Sequence, residues 1–305
     1  MPRVTISEML KKVRAIEIRT NRQVNEALAG QYRSVFRGSG IDFDEVREYV
    51  PGDDVRSIDW KVTARNGRPF VKKYREDREL TILLAIDVSA SGNFGSGDES
   101  KRERAAELAS VIAFSAIKNR DNVGLLLFSD RAELYIPPGK GRFHVLRVIR
   151  EILFHEPQGR GTDIKLALEN IRRTQKRRAV VFLISDFCLT GDYTAELESL
   201  RVRLNSVNRR HDLVAVSVSD PRETELPSVG RLTLEDAETG ELVEVDTTSV
   251  TIRKKFAELS VRRAAELRRA FNGNAIDLVE LTTDRPYLPV LRQFFRSREK
   301  RVRGS

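Results

Sequence analysis

One cysteine, Cys188, occurs in 305 residues, so no intramolecular disulfide can form. Tryptophan also occurs once, and histidine three times. No uncharged apolar run approaches the roughly 18–20 residues that a membrane-spanning helix needs. The first twenty residues carry Glu8, Lys11, Lys12, Arg14, Glu17 and Arg19, and they lack the apolar stretch of a signal peptide. Together these absences predict a cytoplasmic protein with no membrane span. There is no Gly-x-x-x-x-Gly-Lys-Ser/Thr loop, which excludes nucleotide binding of the P-loop kind. Ser91-Gly92 lacks the preceding glycine of a hydrolase nucleophile elbow.

What is present suits a globular chain, with 40% apolar and 32% charged residues. The net charge of +9 invites a nucleic-acid reading. Its distribution argues against one. Residues 250–305 hold 14 basic and 6 acidic residues, a surplus of 8, so the rest of the chain is nearly balanced. The run Arg296–Arg303 reads as a frayed, solvated helix end, and nucleic-acid binding through it is an alternative.

Leu80–Ile86 is a short run rich in Ile and Leu that ends in Asp87. Such a run predicts a strand buried on both faces of a parallel sheet. Asn122–Ser129, Ala179–Asp186, Asp212–Val218 and Ala275–Leu281 repeat the pattern, and Arg131–Ile136 reads as a strand ended by Pro137-Pro138. Helical periodicity falls between them, over 101–118, 143–153, 162–173, 193–205, 251–271 and 287–300. The prediction is an α/β fold, Rossmann-like and doubly wound, with a mostly parallel sheet covered on both faces. Residues 1–78 read as an N-terminal helix (4–29) and a small β-rich subdomain, and 79–305 as the main domain. A hairpin is inserted near 229–247, and Asn66-Gly67 predicts a tight turn between strands Trp60–Ala64 and Pro69–Tyr74.

Two clusters carry chemistry. In the N-terminal region Asp53, Arg56, Asp59, Trp60 and Arg65 form either a polar surface for a partner or a buried network of turns and salt bridges. At the strand ends stand Asp87, Ser89 and Ser91, with Thr162 and Asp186 on two other loops. Ligands of open parallel sheets gather outside the carboxyl ends of the strands. Two carboxylates and three hydroxyls are hard oxygens of the kind Mg²⁺ or Mn²⁺ prefers. Taken singly each has a plainer explanation, Thr162 as a helix cap and Asp186 as a loop acid. A metal-dependent phosphohydrolase is the enzymatic alternative. Against it, Ser89 stands where a second acid would be needed, and His144, His155 and His211 lie away from these loops in sequence.

Asp87-x-Ser-x-Ser91 with Thr162 and Asp186 resembles the metal-ion-dependent adhesion site of von Willebrand factor A-type domains. The chain resembles, more narrowly, the bacterial family called domain of unknown function 58. The residues that carry this are Tyr49-Val-Pro-Gly-Asp-Asp-Val-Arg-Ser-Ile-Asp-Trp60, Ala64-Arg65, Glu76 and Ile86–Ser91, then Gly161-Thr162, Ile184-Ser-Asp-Phe187 and Asp236-Ala-Glu-Thr-Gly240. The resemblance spans about Gly30 to Leu281. It implies a von Willebrand factor A-like, non-enzymatic binding module. Its metal would be bound by Ser89, Ser91 and Thr162, with Asp87 and Asp186 acting directly or through water. An open coordination position would take an acidic side chain from a protein partner. It further implies an adaptor working with a MoxR-type AAA+ ATPase in chaperone-like assembly or metal insertion. Many relatives carry membrane helices near the N-terminus, and the expectation for this chain is a shorter version without them.

Overall fold

The strand Thr81–Asp87 (β3) is the middle of the molecule, and six of its seven residues are buried. Its side chains alternate between two cores, as a pleated strand requires. Ile82, Leu84 and Ile86 face one cluster, while Leu83 and Ala85 face the other. Fully burying each large side chain stabilises the fold by about 1.5–3 kcal/mol.

The structure is a computed structural model and describes residues 6–23, 32, 35–36, 42–75, 79–189, 193–237 and 240–303. Helix α1 covers Ile6–Gln23, and β1 (Asp42–Glu48) precedes helix α2 (Trp60–Asn66) and β2 (Phe70–Arg75). After β3 come α3 (Lys101–Lys118), β4 (Asn122–Phe128), β5 (Ala132–Gly139), α4 (Arg142–Phe154), α5 (Ile164–Thr174) and β6 (Val180–Ser185). Helix α6 (Tyr193–Asn208), β7 (Asp212–Ser219), a short helix α7 (Pro221–Thr224) and the hairpin β8 (Arg231–Glu235) and β9 (Leu242–Asp246) follow. Helix α8 (Val250–Asn272), β10 (Asp277–Thr282) and α9 (Tyr287–Arg303) end the described chain.

Six strands form one sheet in the order β10-β7-β6-β3-β4-β5. All neighbours run parallel except β4 and β5. Helices α1, α3, α4 and α9 contribute to the core on one face, and α5, α6 and α8 to that on the other. The predicted doubly wound α/β architecture is therefore present. The chain moves outward from β3 to β4, then returns to place β6 on the other side. That reversal between β3 and β6 is the point where open sheets part their loops.

Helix α3 lies almost wholly buried, with Ala105, Ala106, Ala109, Ala113 and Ala116 allowing close approach to the sheet. Ser100 and Glu103 close its first turn as a reciprocal capping box. Helix α1 packs on this same face, with Val13 and Ile16 in the core, as are Tyr32, Val35 and Phe36. The Tyr32 hydroxyl donates to Asp121 Oδ2 at 2.9 Å. The predicted helix over 4–29 is described only from Ile6 to Gln23. Gly30, Glu76, Glu238 and Thr239 lie outside the described residues.

Four expectations need correction. Trp60–Ala64 is not a strand, because Asp59 Oδ1 accepts from Lys61 N and Val62 N and starts a helix there. Gly67, at φ 69°, closes that helix in the left-handed conformation, so Asn66-Gly67 is a helix end instead of a hairpin turn. Strand β2 pairs instead with β1, antiparallel, with Glu48 opposite Phe70. Pro137-Pro138 does not stop β5, which continues to Gly139, because an edge strand needs no donor on its outer side and the register with β4 slips between Val123 and Leu125, opposite the prolines. The basic tail is not frayed through Arg301. Arg298 is largely buried between Asp212 and Asp277 and lies over the Phe36 ring, and Arg301 pairs with Asp277.

Candidate metal centre

Asp87 ends β3 and Asp186 follows β6 by one residue, so the sheet's own register brings the two acids to one edge. Asp87 is buried. Its Oδ1 accepts from Ser89 N at 2.9 Å and its Oδ2 from Ser185 Oγ at 2.7 Å. Ser89 Oγ and Ser91 Oγ are 3.1 Å apart, and Ser91 Oγ donates to Asp186 Oδ2 at 2.7 Å. Three of the five predicted ligands, Ser89, Ser91 and Asp186, thus form one run of oxygens, and Asp87 joins it through the Ser89 N–H.

The fifth, Thr162, lies on an adjoining loop. Ala90 N donates to Arg160 O at 3.0 Å, which ties that loop to the Ser89–Ser91 turn. Asp163, and not Thr162, caps α5 through Leu166 N at 2.9 Å. Glu133 braces the same loop, accepting from Gln158 N, Gly159 N and Ser129 Oγ at 2.6–3.0 Å.

Backbone strain marks the position after Asp186. Phe187 has φ 53°, in the left-handed region that costs a side chain about 1–2 kcal/mol. Its ring is buried, in T-shaped contact with Phe271 at 5.1 Å, and its N–H donates to Ser185 Oγ. The strain turns the chain so that Asp186 Oδ1 accepts from Cys188 N and Oδ2 faces the serines.

Asp87, Ser91, Ser185, Asp186 and Lys101 line a small cavity of about 20 Å³, room for one water-sized sphere. Burial and then the charge of Asp186 push Asp87 up to about 7. Burial also works against the charge on Asp186, but the Lys101 ammonium holds that carboxyl below its ordinary range. Only one of the two acids receives a hydrogen bond from that cation. The cost of ionising Asp87 beside Asp186 is the kind that a bound cation relieves.

Residues 45–266 match the family described as "Protein of unknown function DUF58". The chain belongs to this family. Among similar proteins, the uncharacterized protein Rv1480 of Mycobacterium tuberculosis is 33% identical over 290 residues, covering 94% of this chain and 89% of that one. The uncharacterized YeaD of Bacillus subtilis is 23% identical over 50% of this chain and 35% of its own. Among solved structures, BatB of Bacteroides thetaiotaomicron is 15% identical and covers 72% of this chain and 99% of its own, with a TM-score of 0.43. The SpRpn10 VWA domain is 12% identical over 71% of this chain and 95% of its own, also with a TM-score of 0.43. No described helix of this DUF58 member is long and apolar enough to cross a membrane.

The N-terminal cluster divides in two. Asp53 is gripped by Arg47 through bonds of 2.8 and 2.6 Å and also accepts from Val50 N, so it holds a turn. Asp59 caps α2. Arg56, Trp60 and Arg65 face solvent, Trp60 at 67% exposure. The histidines lie elsewhere: His144 meets Val123 O, His155 lies near Glu133, and His211 is buried.

Two residues escaped sequence reasoning. Ser185 reads as the last residue of a buried strand. Lys101 reads only as the first residue of the helix over 101–118, although a cation in a helix's first turn opposes the helix dipole and calls for a compensating acid.

Proposed function

We propose that this edge of the sheet is a divalent-metal-dependent protein-binding site, with Mg²⁺ or Mn²⁺ as the ion. Ser89, Ser91 and Thr162 would hold it, with Asp87 and Asp186 acting directly or through water. The observation that carries the reading is the run of oxygens through Ser89, Ser91 and Asp186, spaced 3.1 and 2.7 Å apart. Octahedral Mg²⁺ with bonds of about 2.0–2.1 Å sets neighbouring ligand oxygens about 2.9 Å apart. The metal would supply Lewis acidity toward one further oxygen ligand. A carboxylate from a partner protein fits that role, because its oxygens are the hard, anionic donors that these ions prefer.

The chain's own residues do the rest. Ser185 and Ser89 N orient Asp87, Cys188 N and the Phe187 turn orient Asp186, and Glu133 fixes the loop bearing Thr162. Nothing in this arrangement supplies a nucleophile poised for turnover, so binding without catalysis is the proposed activity. The MoxR-type AAA+ ATPase implied by the family resemblance is the partner to test first, with this chain as its adaptor.

Titrating Mn²⁺ into the wild type, Asp87→Ala and Ser89→Ala/Ser91→Ala by calorimetry tests the metal. Binding to the wild type and loss in both variants is expected. Capture of the ATPase is then compared in Mg²⁺ and in excess chelator, and undiminished capture in chelator would overturn the reading.

A further inference from the structure

Lys101 is the first residue of α3, and its side chain is only 3% exposed. A buried ammonium is costly on its own, and here it also sits at the positive end of a helix. Two acids compensate it. Lys101 Nζ donates to Asp186 Oδ2 at 2.7 Å and to Glu223 Oε1 at 2.5 Å. The Asp186 oxygen is the same one that accepts from Ser91 Oγ. An oxygen assigned above to the metal therefore already serves a cation.

Glu223 is built to hold that cation alone. Its other oxygen accepts from Asp220 N at 2.9 Å, closing the capping box of α7. Asp220 is itself buried and accepts from Ser96 N, Ser96 Oγ and Thr283 Oγ1. Glu223 thus stands on a fixed mount with one oxygen left for the ammonium. Asp87, Asp186 and Glu223, once ionised, exceed Lys101 by two negative charges, which one divalent ion neutralises.

We propose that Lys101 is the resident counter-cation of the metal site, bridging Asp186 and Glu223 until an ion arrives and then remaining with Glu223 alone. This rests on the metal reading above. Metal entry becomes an exchange in which the ion takes the Asp186 oxygen that the ammonium gives up. The exchange lowers the affinity for the bare ion, so a partner's carboxylate, by adding a ligand, favours the loaded state. Glu223 sets how easily the ammonium lets go.

The test is Mn²⁺ titration of the full chain, wild type against Lys101→Met, Lys101→Arg and Glu223→Gln. The expected result is binding at least tenfold tighter in Lys101→Met and within about threefold of wild type in Lys101→Arg. Glu223→Gln should bind at least threefold more weakly, since the ammonium loses its second negatively charged partner. Unchanged or weaker binding by Lys101→Met, with Asp87→Ala still inactive, overturns this proposal and leaves the metal reading standing. Absence of Mn²⁺ binding from every protein overturns both. Lys101→Met strands Asp186, so thermal unfolding with and without Mn²⁺ accompanies the titration, and Mn²⁺ should raise its midpoint more than the wild type's. Should Lys101→Met fail to fold, Glu223→Gln decides, and affinity equal to or above wild type overturns the proposal.

Discussion

Ser185 Oγ donates to Asp87 Oδ2 at 2.7 Å, joining the ends of the two strands between which the sheet reverses. The bond is buried, and the same hydroxyl accepts from Phe187 N. Ser185→Ala removes both contacts and leaves a buried carboxylate oxygen short of a donor. A loss of about 1–3 kcal/mol is expected in urea unfolding. Mn²⁺ affinity should fall with it, because Asp87 is no longer aimed.

Asp87 makes stability depend on pH in the unusual direction. Its folded pKa of about 7 lies above the roughly 3.9 of a free carboxyl. Between those values the folded chain holds a proton that the unfolded chain has released. Through this group, metal-free stability therefore falls as pH rises from about 4 to about 7. Asp87→Asn should show a flatter profile than wild type across that window when unfolding is followed in chelator. Identical slopes would remove Asp87 as the source.

Asp220 gives the opposite sign. Burial works against its charge, but hydrogen bonds from Ser96, Thr283 and the Arg222 N–H hold its pKa down to about 2. Its contribution is complete above the unfolded value near 4 and disappears as pH falls through about 2. Asp220→Asn should cost on the order of 2 kcal/mol at pH 7. Denaturant midpoints of the two proteins should differ at pH 7 and draw together as pH falls towards 2.

The N-terminal cluster separates by substitution. Asp59→Ala removes the cap of α2 and should cost about 1 kcal/mol. Trp60→Ala touches an exposed ring and should stay within about 0.5 kcal/mol of wild type. If this surface docks the partner, Trp60→Ala reduces capture of the ATPase with unfolding unchanged. Capture equal to wild type would leave Trp60 without a docking role.

Gly159 sits where no side chain fits. A Cβ there would meet Asp130 Oδ1 at 2.2 Å and Ser129 Oγ at 2.3 Å. Gly159→Ala should displace the loop that carries Thr162, costing about 1–3 kcal/mol. Weaker Mn²⁺ binding should accompany that loss, and calorimetry on the folded variant checks it.

The sheet and most of the site were legible because parallel strands leave a strong trace. Leu80–Ile86 and Ala179–Ile184 read as apolar runs, and each run ends at an acid that the register then sets side by side. The region around Trp60 was less legible, since Asn-Gly serves a hairpin turn and a helix end with the same left-handed glycine. What decides between them is the side chain of Asp59. Lys101 was hidden for another reason. A lysine's burial depends on acids distant in sequence, here Asp186 and Glu223, and no local pattern announces them. The arginines of α9 were read as solvated on the same grounds, yet Arg298 lies against Phe36 and Phe294.

Both outer edges of the sheet resist extension. On β5, Pro137 and Pro138 present no N–H to an arriving strand. On β10, Asp277 and Glu280 are clamped by Arg301 and Arg268, which crowd that margin with charge. Strand-to-strand addition, a common route to unwanted polymers, is hindered at either side. What stays approachable is the rim of loops at the strands' carboxyl ends, so a partner would meet this sheet head-on.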